Sequence, residues 1–454
     1  MNASPTLRAG SLTFVEVLAT SIALIGPSMT PILIAPYMFA NAGNGTWLAY
    51  AFGGTMLAFV ALNINQFARR SSAAGSMYGY VAENLGPGAG AIAGWSLLWA
   101  YVFVAAAVLG AMALFVDILL GDAGLHAPPI AIVCAIAIVA WQAAYRGVQV
   151  SAVVMLVLEA ISVAVICVLV GIVLVKHGAS IDVAQLKIQG GFPGGLGLAI
   201  MFAVFSFVGF ESATAFGAEA KRPLIAIPRA VIGSVLFVSV FFIVATYAEI
   251  LGLRHAALSL DKQTFPLGTL AAISDVGYLQ IPIAIGALCS AFSVCLACIT
   301  TGGRVAYAMA GAGVLPAPMS RIEPKHDTPN VAVTVVTACT LVVAAAALLG
   351  RVAPIDVFDN CGTLSSFGFL VIYALISIAA GVFVKRRGEL RARDFAVCAL
   401  AIALLLVPTV MLFYSIPAPP QRWFVFYFIA FLLAGRLWFA ARAQRSRPRA
   451  GSLP

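Results

Sequence analysis

Two stretches decide the fold: Ile25-Gly26-Pro27-Ser28-Met29-Thr30-Pro31 and Phe205-Ser206-Phe207-Val208-Gly209-Phe210-Glu211. Each lies inside an apolar run long enough to cross a bilayer. Proline removes a backbone donor and clashes with the preceding helical turn. In lipid, every freed backbone group costs several kcal/mol unless protein, ligand or water satisfies it. A break kept at mid-membrane therefore needs a reason.

Outward from these stretches, twelve apolar spans can be drawn, roughly at 12–40, 46–67, 89–117, 128–145, 151–175, 197–217, 230–252, 279–303, 330–349, 357–384, 395–415 and 423–440. The interrupted runs are the first and the sixth. That odd offset sends them across the membrane in opposite directions. Paired interruptions in two inverted halves point to the binding site of a secondary transporter. The plainer alternative is that Gly and Pro are simply frequent in membrane helices.

Composition agrees. Of 454 residues, 62% are hydrophobic and 9% charged, with a mean hydropathy of +1.03. Soluble domains carry about 45–50% apolar and about 25% charged residues, so one soluble core is excluded. A β-barrel is excluded too, because Ile130–Val139 and Ala396–Val407 are apolar on all faces rather than alternating. The chain reads as an all-α polytopic membrane protein, with 1–454 as a single membrane transport domain.

The net charge is +9. With both termini in the cytoplasm, 20 of the 26 Lys and Arg fall on that side and 6 on the other, a positive-inside pattern. The basic tail 441–454 then meets anionic headgroups, and no nucleic-acid partner is implied. The first 30 residues carry no cleavable leader pattern. Cys295 and Cys298 form a C-x-x-C on a predicted helix, with no His or second pair to complete a metal site. The Asn44 sequon lies in a turn too short for glycosylation. No phosphate-cradling glycine loop and no nucleophile–base pair is present, so no cofactor and no enzyme activity is expected.

Phe205 to Arg229 contains F-x-F-x-G-F-E, then Glu219-Ala220-Lys221-Arg222-Pro223 and Ile227-Pro228-Arg229. This resembles the sixth-helix signature of the amino acid–polyamine–organocation permeases. Ala74-Gly75-Ser76-Met77-Tyr78-Gly79-Tyr80, with Gly86, Gly90 and Gly94-Trp95, resembles their loop between helices two and three. Arg304-Val305-Ala306-Tyr307-Ala308-Met309, with Gly313, Leu315-Pro316 and Thr328-Pro329, resembles the loop after helix eight. The resemblance covers about 12–385. It implies a LeuT-like 5+5 inverted repeat with 12 transmembrane helices, its core at about 12–384 and two peripheral helices at about 395–440. It implies alternating access for an amino acid or related small amine, by symport or exchange, in the inner (plasma) membrane of a bacterium.

Carried over residue by residue, the substrate-binding segments are Gly26, Pro27, Ser28, Met29 and Thr30, with Phe205, Ser206, Phe207, Val208 and Gly209. The first departs from the family's glycine-rich G-x-G. Phe205, Phe207 and Phe210 are expected to include an aromatic lid. Glu211 matches a gating or proton-sensitive acid, or it bonds freed backbone amides. Many proton-coupled relatives carry a lysine on helix five. Here Ser162 holds that position, counted from Gly147, and Glu159 lies one turn before it. Either Glu159 carries a proton or the site takes sodium with Ser290 and Ser293.

Transport should then depend on pH through Glu211, Glu159 or both, since an acid alternating between dry and wet states changes its proton affinity with the cycle. Glu16, Asp117, Glu249, Asp356 and Asp359 fall near span ends and are expected to reach water. The competing functions are a polyamine- or ethanolamine-type cation carrier and a sodium-coupled amino acid transporter. More remote are a channel and a membrane-embedded enzyme.

Overall fold

A computed structural model describes residues 10–71, 76–122, 124–146, 148–178, 181–186, 194–254, 256–414 and 419–445. Ala74, Gly75, Gly147, His255 and the tail beyond 445 lie outside the described residues.

The first expected span is three pieces. α1 (Phe14–Ile25) is followed by a π-helical turn (Thr30–Ile34) and by α2 (Ala35–Ala42). Then come α3 (Thr46–Ala68), α4 (Ser76–Leu85), α5 (Pro87–Asp122), α6 (Pro129–Tyr145), α7 (Val148–His177) and α8 (Val183–Leu186). The sixth span is α9 (Gly194–Phe207) plus a 3-10 turn (Ser212–Phe216). α10 (Pro223–Leu253), α11 (Pro266–Ile273), α12 (Gln280–Gly311), α13 (Asn330–Leu349), α14 (Pro354–Arg386), α15 (Ala392–Tyr414) and α16 (Phe424–Arg445) complete the chain. Among the described residues there are no strands, only isolated bridges at Leu12–Ala220 and Glu323–Thr328.

Local chemistry sets many of the ends. Thr13 and Glu16 form a reciprocal capping box that starts α1. α5, α6, α10, α11 and α14 open on proline, whose missing N–H is an orphan there in any case. α1 stops at Gly26, which sits at φ +57°, and its N–H closes the last turn on the Ile22 carbonyl at 3.0 Å.

Ten helical stretches among the described residues are long and apolar enough to cross a membrane. One of them, Phe14–Ala68, runs 55 residues and contains two of the drawn spans; α6, at 17 residues, is shorter. Burial ranks the helices. The most apolar windows of Phe14–Ala68 and Gly195–Phe216 are 89% and 88% buried, against 22% for α15 and 17% for α16. The interrupted segments are therefore the more deeply packed, and the last two helices are mostly exposed on the protein's outside.

Three boundaries differ from the hydropathy reading. α10 begins at Pro223 rather than near 230, because proline opens it in a charged stretch that hydropathy scores as loop. α12 runs to Gly311, so Arg304 belongs to a helix and not to a solvated loop. α11 was hidden in the long connection before α12.

Candidate functional site

The two breaks lie against each other. Ser21 Oγ donates to the Phe210 carbonyl at 2.9 Å, and Ser212 Oγ donates to the Thr20 carbonyl at 3.0 Å. The Ala213 N–H returns to Ser21 Oγ at 3.3 Å. Carbonyls near each interruption thus find hydroxyl donors on the opposite segment, as the apolar surroundings require. The helix-one break falls at Gly26–Ser28, as the prolines suggest. The helix-six break is displaced: Phe205–Phe207 still belong to α9, and the chain unwinds over Val208–Glu211. The cause is Gly209, at φ +113°, where a Cβ would run into Leu24. Only glycine takes that conformation at no steric cost.

Each break also gives a freed amide to a buried acid. The Ser28 N–H and Oγ both donate to Glu159 Oε1, at 3.0 and 2.8 Å. The Gly209 N–H donates to Glu211 Oε2 at 3.1 Å. Glu211 further accepts from Tyr101 Oη at 3.1 Å and Tyr373 Oη at 2.9 Å. It thereby ties the helix-six break to α5 and α14. Nothing in the sequence singled out Tyr101 or Tyr373, which sit in uninterrupted helices.

Between the breaks is a small cavity of about 20 Å³, room for roughly one water. Met29, Thr30, Phe205, Ser206 and Val208 line it, whereas Gly26, Pro27, Ser28, Phe207 and Gly209 do not. Its remaining wall comes from α1, the π turn, α5, α12 and α14, including Val104, Val108, Val294 and Phe358. Of the three candidate lid residues only Phe205 borders it, packed on Phe358 with centroids 5.6 Å apart. Phe207 packs on Tyr50 and Phe242, and Phe210 on Tyr373.

The candidate ion residues divide. Glu159 Oε2 and Ser290 Oγ are buried and unbonded, and Ser290 approaches the carboxyl without reaching hydrogen-bond geometry. Ser290 Oγ lies 3.4 Å from where a Gly26 Cβ would stand, beside the helix-one break. Ser293 instead donates to its own helix at the Cys289 carbonyl, 3.0 Å away. Ser162 is buried against Gly286 of α12.

Two charged groups are not where hydropathy placed them. Glu249 does not reach water: it is fully buried in α10, and neither carboxyl oxygen has a partner. Arg304 is buried in α12 and grips Glu219 with two bonds, Nε–Oε2 at 2.8 Å and Nη2–Oε1 at 2.9 Å. Its guanidinium also stacks 4.5 Å from the Phe216 ring centre. Beside it, the Leu12 N–H donates to the Glu219 carbonyl and the Lys221 N–H to the Leu12 carbonyl.

Ten long apolar helical stretches among the described residues and two buried breaks define an integral multi-pass membrane protein. A family model described as amino acid permease matches residues 18–448, so the chain belongs to that family of transporters, which are not enzymes. It is 26% identical over 381 residues to the branched-chain amino acid permease BcaP of Bacillus subtilis (strain 168), covering 77% of this chain and 76% of that protein. It is 31% identical over 352 residues to an uncharacterized transporter of Mycobacterium tuberculosis (strain ATCC 25618 / H37Rv), covering 76% and 74%. The methylthioribose transporter of Bacillus subtilis (strain 168) is 25% identical over 413 residues, covering 85% and 83%.

Proposed function

We propose that this amino acid permease carries a neutral, apolar amino acid by alternating access between two inverted five-helix repeats, in a twelve-span LeuT-like arrangement. The core is about 12–384, the helices at about 395–440 are peripheral, and both termini face the cytoplasm of a bacterial inner membrane. The observation that carries the reading is the lining of the cavity between the breaks. Apart from the hydroxyls of Thr30 and Ser206 it is apolar, and no acid borders it. A polyamine or ethanolamine would need acid at the pocket wall, whereas Glu159 and Glu211 are occupied with the freed amides behind it. The substrate class in the name of the Bacillus branched-chain permease fits this wall. That of the methylthioribose transporter, at similar identity, shows why the wall and not the percentage must decide.

Glu211 is the gate in this reading, because its three bonds join the helix-six break to α5 and α14 and must rearrange for those elements to separate. Glu159, with Ser290 beside it, is the coupling site, taking a proton or, failing that, sodium. The substrate-contacting residues are Met29, Thr30, Phe205, Ser206 and Val208, with Gly26, Pro27, Ser28, Phe207 and Gly209 shaping the breaks behind them.

Counterflow in proteoliposomes tests the substrate. Preloaded leucine, isoleucine or valine should accelerate entry of labelled leucine, and preloaded putrescine should not. Acceleration by putrescine alone would refute the assignment. Uptake against external pH in sodium-free buffer, for the parent, Glu159→Gln and Glu211→Gln, tests the coupling. Uptake that needs sodium and is flat from about pH 5 to 8, well above the unperturbed carboxyl range, replaces the proton with sodium.

A further inference from the structure

A second, larger cavity lies away from the breaks. It measures about 670 Å³ and has no polar surface in its wall. α5, α13 and α16 form its sides, and the segment Leu315–Met319 between α12 and α13 forms its floor. Along α13 its lining runs from Val331 to Val343, about 18 Å of helix. That is a slot with the length and polarity of a lipid tail, and the floor segment lies at the end where α13 begins.

Two arginines at that end call for an anion. Arg321, two residues after the floor segment, is exposed. Arg436 of α16 is also exposed and reaches the first turn of α5, with Nη1 3.7 Å from where a Gly88 Cβ would stand. Among the described residues neither has a carboxylate partner. Trp95, whose ring lines the slot against Gly435, has a buried indole N–H with no acceptor. The floor is itself tied to α16 by Trp438 Nε1–H donating to the Val314 carbonyl at 2.9 Å. Basic pockets between membrane helices at the interface suit phosphate headgroups.

We propose that this slot is a binding site for an anionic phospholipid. One acyl chain fills the apolar channel, and the phosphate meets Arg321 and Arg436. The site is separate from the cavity between the breaks, so it bears on how the protein sits among lipids rather than on what it carries.

Native mass spectrometry of the full chain, delipidated in detergent, tests it. The probes are phosphatidylglycerol and phosphatidylcholine with identical oleoyl chains. At equal lipid, the one-lipid adduct should be at least 5-fold more populated with phosphatidylglycerol. Arg321→Gln/Arg436→Gln should bring that ratio below 2 without changing counterflow, since neither residue touches the breaks. Val335→Trp, which fills the slot, should reduce the adduct of both lipids. Equal retention of the two lipids by the parent overturns the proposal. So does a preference that survives the double arginine substitution, or a parent that retains neither lipid. The arginine pair is at the surface, so the test stands even if Val335→Trp fails to fold.

Discussion

Removing one partner of the Arg304–Glu219 pair should open the side of the protein it seals. The two side chains are 2% and 6% exposed, and the contact is bidentate. Arg304→Met leaves the Glu219 carboxylate buried beside Phe216 with no cation. Breaking a buried pair in this way costs about 3–5 kcal/mol, whereas replacing both partners with apolar residues is often neutral or stabilising. The pair and the Leu12–Ala220 bridge hold the start of α1 to the segment after the helix-six break, and so to α12. An opening that separates these elements must break both. The full cost then falls on the closed state, and at about 1.4 kcal/mol per tenfold the closed-to-open ratio drops by roughly two to nearly four orders of magnitude. The reporter is Ala220→Cys, buried in the parent, in a chain whose eight native cysteines are replaced. Maleimide labelling of Arg304→Met should be at least about 100-fold faster than in the parent, following the same conversion. Arg304→Met/Glu219→Leu should return most of the way. Single substitutions within threefold of the parent, or a double variant as reactive as the worse single, would refute the reasoning.

Gly209→Leu should insert normally yet lose transport, because a side chain at φ +113° must displace Leu24 of the opposing break; membrane expression with normal uptake contradicts this. Glu249→Met should keep or raise thermal stability, since it removes a buried carboxyl with no partner and about 1–3 kcal/mol of unmet desolvation; a clear drop in melting temperature would show a partner that the bonding pattern lacks. Lys176 bonds Asp275 at 2.7 Å and holds its carboxyl below the usual range. A depressed acid stabilises above its unfolded value and loses that contribution as pH falls through its folded one. Lys176→Gln should therefore melt slightly lower than the parent at pH 7, with the gap closing as pH falls below the ordinary aspartate value of about 3.9 and in high salt, as for any exposed pair; a gap unchanged at acid pH would mean the effect is packing.

Much of the architecture was legible because helices in lipid are local objects. A helix must satisfy its own backbone, so apolar runs report it, and the Gly26–Pro27 interruption reported where it failed. The helix-six break was misplaced by three residues for a reason that is also local: Phe205 and Phe207 are acceptable in a helix, and only the conformation at Gly209 ends it. The pairing of Ser28 with Glu159 spans 131 residues, and that of Tyr373 with Glu211 spans 162. A tyrosine in an unbroken helix carries no mark that it will meet an acid. Glu249, close to a span end, reads as a group that snorkels to water; α10 instead presents it within the packed interior, where Phe242 on the same helix packs on Tyr50 of α3.

By itself, the sequence determined that this protein lives in a membrane, that it is built of long apolar helices, and that two of its apolar runs break. Composition and the cost of unsatisfied backbone in lipid are properties of single segments. Its motifs likewise determined the permease family. Only the tertiary structure decided which residues of each break face the cavity, that the cavity wall is apolar, and that both acids stand behind it on freed amides. Those outcomes depend on how helices rotate and pack against one another. That choice is made by the shapes of many side chains at once, and no window along the chain contains it.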